Sequence, residues 1–285
     1  VKPPPFEYAR PESIGEAVEL LAEHGDDAKV LAGGQSLMPL LNMRLARPSL
    51  LIDINRVAEL DNKSRRDGEM HLGALVRQAA ARGFSRLVDA CIPYVGHTVT
   101  RNRGTVGGSI AHADARAELP VALTALGGSV VAASRRGRRS IAAEDFFVTH
   151  FTTGLEPDEL LVETVWPSLE GWGLAFEEFA LRTGDFALGM AAVALRAVDG
   201  RARGARIAIG ASVDRPTLLE GVAAIVEGGE VDNGLAREAG AAAAASVHPA
   251  GTVHASAAYQ KHLTGLVVER ALLRAWRNAT DGAAS

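Results

Sequence analysis

Lys29-Val30-Leu31-Ala32-Gly33-Gly34-Gln35-Ser36-Leu37 decides the fold of this chain. Three residues suited to a short buried strand run into two adjacent glycines, and then into a helix-favouring stretch that reaches residue 45. A Gly-Gly pair has no Cβ atoms, so it can reach positive φ and let a ligand approach the backbone. The N–H groups of such a turn, with the unpaired donors at the start of the next helix, suit the negative charge of a phosphate. Taken alone, the same residues also make a tight strand–helix turn with no ligand. Working outward, residues 6–9 and 50–54 read as strands. Ser13-Ile14-Gly15-Glu16 is a capping box ahead of Ala17, Leu20 and Leu21 at helical spacing, and Gly25 ends that helix. Such alternation points to a sheet covered by helices.

A second glycine turn, Arg103-Gly104-Thr105-Val106-Gly107-Gly108-Ser109-Ile110, lies in a second unit spanning residues 69–167. Within that unit, residues 70–73, 129–132 and 159–165 read as strands. Residues 74–81, 87–99 (interrupted at Pro93) and 118–126 read as helices. Arg135-Arg136-Gly137-Arg138-Arg139 reads as a solvated basic turn. Two such glycine turns in separate α/β units could grip the two ends of a dinucleotide. Neither matches the phosphate loop of nucleoside triphosphatases, and neither is a G-x-G-x-x-G fingerprint followed by a ribose-binding acid. Beyond residues 168–174 the pattern changes to three strands (176–181, 187–198, 205–212) and then three helices (217–226, 233–245, 255–278). This is the signature of an antiparallel sheet with its helices on one face.

The 285 residues are 47% apolar and 22% charged, which excludes a disordered or fibrous chain, and the net charge of −4 offers no general attraction to nucleic acid. No apolar run is long enough for a membrane span. The opening Val1-Lys2-Pro3-Pro4-Pro5 has no apolar signal-peptide core, so a soluble, cytoplasmic protein is expected. The one cysteine, Cys91, rules out an internal disulfide or an all-cysteine iron–sulfur site and reads as a core thiol. The eight histidines include no H-E-x-x-H pair or comparable ligand set, and no G-x-S-x-G elbow is present, so no metal site and no catalytic nucleophile is assigned.

Residues 31–37 and Gly104-Thr105-Val106-Gly107-Gly108-Ser109-Ile110-Ala111-His112-Ala113-Asp114 resemble the two FAD-binding motifs of the flavoprotein (medium) subunit of molybdenum hydroxylases. This is the family of aerobic carbon monoxide dehydrogenase and xanthine dehydrogenase-like enzymes. Residues 4–11, Asn42-Met43-Arg44-Leu45-Ala46-Arg47-Pro48, residues 51–54, Arg182-Thr183-Gly184-Asp185-Phe186-Ala187 and Tyr259 extend the likeness over essentially the whole chain.

The resemblance implies an α+β chain: a two-subdomain FAD-binding fold of the vanillyl-alcohol-oxidase/PCMH type (residues 1–57 and 58–170), then a C-terminal α+β domain of the carbon monoxide dehydrogenase flavoprotein type (171–285). It implies that main-chain groups of Ala32, Gly33, Gly34, Gln35, Ser36 and Leu37 hold the FAD pyrophosphate, with Lys29 and Leu31 bordering it. Thr105, Gly107, Gly108 and Ser109 would contact the other side of the cofactor, with Asp114 and Glu118 near its ribityl and phosphate portion and Leu161 near the ring. His112 would contact the cofactor or hydrogen-bond within the motif. A side chain at Gly107 would invade the cofactor's space and leave the fold intact. Relatives more often have Asp at the position of Glu118. Many also carry a lysine where Glu177 and Glu178 stand here, so no lysine role is transferred. Arg101 and Arg103 are placed to meet phosphate or a partner.

In such complexes a large subunit holds molybdopterin and a small subunit holds two 2Fe–2S clusters; the resemblance implies a dimer of heterotrimers in which this chain's FAD passes electrons to an external acceptor. Two alternatives stay open on sequence alone: a self-contained FAD oxidase or reductase, and a flavin-less scaffold.

Overall fold

A computed structural model describes residues 2–281. The first unit is a three-stranded parallel sheet in the order Glu7–Ala9, Leu50–Asp53, Ala28–Leu31. The helix Ile14–His24 connects two of its strands. Ser13 accepts from the Glu16 N–H at 3.2 Å, and Glu16 returns its carboxylate to the Glu12 N–H rather than to Ser13. Ala17, Val18 and Leu21 are its buried stripe, and Gly25, at φ +51°, closes the last turn on the Leu21 carbonyl.

The second unit is a five-stranded antiparallel sheet in the order Lys63–Arg66, Glu69–Gly73, Leu160–Pro167, Ser129–Ser134, Gly137–Ala142. Two of its strands were not expected. Lys63–Arg66 and Gly137–Ala142 are edge strands with almost every side chain in solvent, so neither shows the apolar alternation that marks a strand in sequence. The basic turn is accordingly shorter than expected, and Arg138 and Arg139 sit within a strand. Its arginines are paired, Arg135 with Glu19, Arg136 with Asp158 at 2.5 Å and Arg139 with Glu159 at 2.7 Å.

The helix expected over residues 74–81 is a further correction. Only the short 3-10 turn Gln78–Ala81 is helical. The preceding residues make a turn, closed by the Val76 N–H on the Gly73 carbonyl, and then bond to the second glycine turn: the N–H groups of Val106 and Gly107 donate to the carbonyls of Val76 and Ala74, and that of Gln78 donates to Gly104. The interrupted helix over 87–99 becomes two, Arg86–Cys91 and Thr98–Arg103, the second of which includes arginines expected in a loop.

The last part is an antiparallel sheet, Gly173–Phe179, Gly189–Val198, Arg201–Gly210 and the two-residue strand Thr217–Leu218. The fourth strand takes the first residues of the helix expected over 217–226, which starts instead at Glu220. Helices Ala257–Asp281 and Glu220–Val226 pack on the sheet, and helix Asn233–Ser246 packs on those two helices. Strand Gly189–Val198 is buried on both faces: Ala191, Val193 and Leu195 join the core beneath the helices, whereas Met190, Ala192 and Ala194 join the core of the first two units.

That shared core makes the parts one unfolding unit. Met190→Ala is expected to destabilise the chain by about 2–5 kcal/mol, the ordinary cost of emptying a fully buried Met site. Urea unfolding followed by tryptophan fluorescence and by far-UV circular dichroism should shift by the same amount in one transition. Two separated transitions would contradict the shared core.

Candidate functional site

Between the glycine turns lies a cleft of about 630 Å³, within the range of small-molecule and cofactor sites. The two turns touch each other. A Cβ placed on Gly33 would lie 2.5 Å from the Arg103 carbonyl oxygen and 2.7 Å from the Gly104 Cα, and one on Gly108 would come within 3.8 Å of the Ala32 Cβ.

The first turn faces the cleft with its donors. Strand Ala28–Leu31 delivers it, Gly34 takes φ +71°, and helix Leu37–Asn42 leads away. Among the described residues, the N–H groups of Gly33, Gly34, Gln35 and Ser36 donate to no other group of the chain. The Gln35 side chain folds back on the Gly33 carbonyl at 3.1 Å. A run of free N–H groups in a concavity is an anion-binding arrangement, and it fits the pyrophosphate of a dinucleotide. Lys29, Ala32 and Leu37 also line the cleft. Leu31 does not; its Cδ1 atom lies beneath Gly34 instead.

The second turn uses the N–H groups of Val106 to Ser109 within the chain. The Thr105 hydroxyl accepts from the Gly108 N–H at 3.0 Å, the Ser109 N–H donates to the Thr105 carbonyl, and the Gly107 N–H is spent on Ala74. Thr105, Gly107, Gly108 and Ser109 all line the cleft. The reason expected for Gly107 is overturned: a Cβ there would meet the Ala74 Cα at 2.6 Å and the Ala74 carbonyl oxygen at 2.8 Å. A side chain at this position collides with protein backbone rather than with a cofactor.

Further along, His112, Asp114, Glu118 and Leu161 line the same cleft. Leu161 stands at a bulge of strand Leu160–Pro167. The His112 ring lies 4.8 Å from that of Phe151; burial, aided by His150 and Arg116 and opposed by Asp114, lowers its pKa, so it is neutral at pH 7. The buried Asp114 carboxylate is gripped by Arg116 through Nε and Nη2, each at 3.1 Å, and by the Arg116 N–H at 2.9 Å. Burial pushes the Glu118 carboxyl up to about 7, with Asp114 adding to the rise. Burial likewise pushes Glu178 up to about 9, with Glu118 adding, and the Glu178 Oε2 atom is buried without a partner. Glu177, by contrast, pairs with Arg274 at 2.7 Å.

Sequence reasoning missed several wall residues. Arg116 carries Phe186 at 4.3 Å over its guanidinium, and Gly184, Asp185 and Phe186 bring the C-terminal part to the cleft. The likeness of residues 182–187 to a family segment was the available signal. Gln78 also lines the cleft, with its Oε1 atom buried and unpaired. Arg101 is not available for phosphate: its guanidinium donates to the carbonyls of Val95 and Gly96 at 2.9 and 2.8 Å. Among the described residues no cluster of His, Cys, Asp and Glu could hold a metal ion.

Comparison with known proteins adds a second line of observation. Residues 4–169 match the family model described as FAD binding domain in molybdopterin dehydrogenase, and residues 174–275 match that described as CO dehydrogenase flavoprotein C-terminal domain. The chain is 42% identical to the 6-hydroxypseudooxynicotine dehydrogenase complex subunit alpha of Paenarthrobacter nicotinovorans, over 98% of this chain and 97% of that protein. Its structure is similar to that of quinoline 2-oxidoreductase from Pseudomonas putida 86, with a TM-score of 0.92, 37% identity and coverage of 98% and 99% of the two chains. A chain of the carbon monoxide dehydrogenase from Hydrogenophaga pseudoflava matches with a TM-score of 0.92 and 35% identity, over 98% of this chain and 99% of that one.

Two outcomes are expected from this geometry. Gly107→Val should lower the stability of the flavin-free chain by about 1–3 kcal/mol, the usual cost of overpacking, because the turn must lift from Ala74. Denaturant unfolding without flavin measures it, and an unchanged midpoint would count against the contact. The two raised carboxyls stabilise the fold while protonated; that contribution is complete below the usual carboxylate range and is lost as pH rises through about 7 for Glu118 and about 9 for Glu178. His112 works in the opposite sense, but only below the ordinary histidine range. Thermal stability should therefore fall from about pH 7 to about pH 8.5, and Glu178→Gln, which cannot ionise, should remove much of the fall. Equal pH slopes for the two proteins in thermal melts would refute this.

Proposed function

The chain belongs to the family of FAD-binding medium subunits of molybdenum hydroxylases, the xanthine dehydrogenase and carbon monoxide dehydrogenase family, and on that premise we propose that it is the FAD-bearing electron-transfer subunit of such a complex. The observation that carries the reading is the row of four free N–H groups, Gly33 to Ser36, facing a cleft closed on its far side by the Thr105–Ser109 turn. These main-chain donors hold the pyrophosphate. Lys29 borders it, and Asp114, locked by Arg116, presents its remaining acceptor capacity to hydroxyl groups. Glu118, protonated over much of the neutral range, donates a hydrogen bond there instead of repelling the phosphates. Leu161, Phe151 and Phe186 supply apolar wall and limit water.

Bound there, the flavin supplies the redox chemistry, taking electrons that arrive from 2Fe–2S clusters of a small partner subunit and delivering them to an external acceptor. The chain's own groups fix its position and its electrostatic surroundings. The organic substrate is oxidised on a large molybdopterin subunit, and the complex is a dimer of heterotrimers. No described helix is long and apolar enough to cross a membrane, and the buried, unpaired Cys91 suits a reducing cytoplasm.

Purified by itself, the full chain should bind FAD with an oxidised-flavin absorption spectrum and oxidise no organic substrate of the complex. It should regain a part in turnover only when the molybdopterin and iron–sulfur subunits are added back. Substrate oxidation by the isolated chain would favour a self-contained oxidase, and failure to bind FAD would favour a scaffold.

A further inference from the structure

Behind the glycine turns, on the side away from the cleft, runs a continuous line of hydrogen bonds. The Tyr8 hydroxyl donates to Asp53 Oδ2 at 2.5 Å, and Asp53 Oδ1 accepts from the Asn55 N–H at 3.0 Å and from Asn55 Nδ2 at 2.7 Å. Asn55 Nδ2 also donates to the Ala32 carbonyl at 2.8 Å, and Asn55 Oδ1 accepts from Arg77 Nη2 at 2.8 Å. The other arm of the guanidinium, Arg77 Nη1, donates to the Arg103 carbonyl at 2.5 Å. Ala32 and Arg103 are the residues immediately before Gly33 and Gly104, where the two turns press together. None of Tyr8, Asp53, Asn55 and Arg77 lines the cleft.

We propose that Asn55 and Arg77 are positioning residues that set the spacing and orientation of the two FAD-binding turns from behind. The inference rests on the reading that the cleft holds FAD. In a trans peptide the C=O of one residue and the N–H of the next point in opposite directions. Asn55 draws the Ala32 carbonyl backward, and the Gly33 N–H therefore faces forward, at the start of the free donor row. The Arg103 carbonyl is the atom closest to Gly33, and Arg77 holds it while its own backbone bridges to Thr105. Asn55 links the two tethers because its amide is both donor and acceptor. The Asp53 carboxylate, kept below its usual range by hydrogen bonds from Tyr8 and Asn55 against the opposing effect of burial, fixes which way that amide points. Asn55 comes from the 3-10 turn Ile54–Arg56 that follows strand Leu50–Asp53, and Arg77 from the segment after strand Glu69–Gly73, so the link joins the first unit to the second.

The test uses the full-length chain stripped of flavin and titrated with FAD, following fluorescence and the visible circular dichroism of the bound flavin. Arg77→Met and Asn55→Asp, the latter able to accept from Arg77 but no longer to donate to Ala32 or to Asp53, which it then repels, should each weaken FAD binding about 10- to 100-fold, the scale expected for losing charge-assisted or paired hydrogen bonds. Both should also alter the visible dichroism, while the unfolding midpoint of the flavin-free chain stays near wild type. Arg77→Lys should recover part of the affinity. The double variant should lose less than the product of the single losses, because both residues act through one bond. Arg56→Met, which removes a neighbouring exposed ion pair with Glu12, should bind FAD as wild type does. Wild-type affinity and dichroism in both Arg77→Met and Asn55→Asp would overturn the proposal, as would affinity losses that simply follow losses of flavin-free stability. Absence of FAD binding by the wild-type chain would instead overturn the reading on which it rests.

Discussion

The contact between Gly33 and the Arg103–Gly104 peptide is the constraint from which the rest of the site follows. Two backbone segments, far apart in sequence and in different units of the fold, meet at a separation that leaves no room for a Cβ atom. For the second turn to reach that position, it must be backed by chain that offers hydrogen bonds along its length. This is why residues 74–77 are not helical: Ala74, Val76 and Gln78 give the turn three backbone bonds that a helix would have consumed internally. The close meeting also divides labour between the turns. The second spends four successive N–H groups, Val106 to Ser109, on its own support, whereas the first leaves four successive ones free.

The cleft is suited to a dianionic group without being strongly cationic. Lys29 is exposed, Arg116 is tied to Asp114, and Arg101 is spent on loop carbonyls. Of two acids near the far wall, burial holds Glu178 neutral and leaves Glu118 only partly ionised near pH 7. In the proposed binding mode, four main-chain donors would therefore be the principal attraction. Each contributes about 0.5–1.5 kcal/mol net to a neutral acceptor and about twice that to a charged one. Such donors carry no charge that must be desolvated before the ligand arrives, and they do not demand the excellent geometry that a buried ion pair needs to repay its burial cost. With a net charge of −4 over the chain, the field of the whole molecule adds no steering toward an anion.

Much of this was legible in the sequence, and the failures have physical causes. The strand–glycine–helix order around Gly33 and Gly34 is local, and local propensity carries it. The Ser13 cap, the Gly25 stop and the three long C-terminal strands are legible for the same reason. The two edge strands are not, because strands with nearly every side chain in water lack an apolar period. The apolar pattern at 74–77 reports burial, which a helix and a doubly buried extended segment share. The glycine at 107 was recognised as special for the wrong reason, since no sequence pattern says which neighbour a missing Cβ makes way for. Asn55 and Arg77 are single polar residues with partners in other elements, and Arg116 grips the nearby Asp114 but meets Phe186 from far along the chain, so only the folded chain shows what they hold.

The C-terminal part completes the cleft by packing, not by a hinge. Its central strand Gly189–Val198 gives alternate residues to two cores, and the one it shares with the FAD-binding units contains Phe176, Met190 and Ala192. The loop that carries Gly184 and Phe186 leads into that strand, and at Gly184, where φ is +87°, a Cβ would meet the His97 ring at 2.6 Å. A loop anchored at a rigid strand and pressed on a neighbouring side chain has little freedom to swing. Phe186 is therefore held against Arg116, and Arg116 against Asp114, as a fixed wall. The same rigidity explains Glu178, which lies on strand Gly173–Phe179 immediately before the loop. Its backbone direction is set by the sheet, so its carboxyl cannot turn out to water and is kept protonated instead. A protein that closes its cleft this way exchanges the option of opening a lid for a cofactor environment whose polarity is set before the cofactor binds.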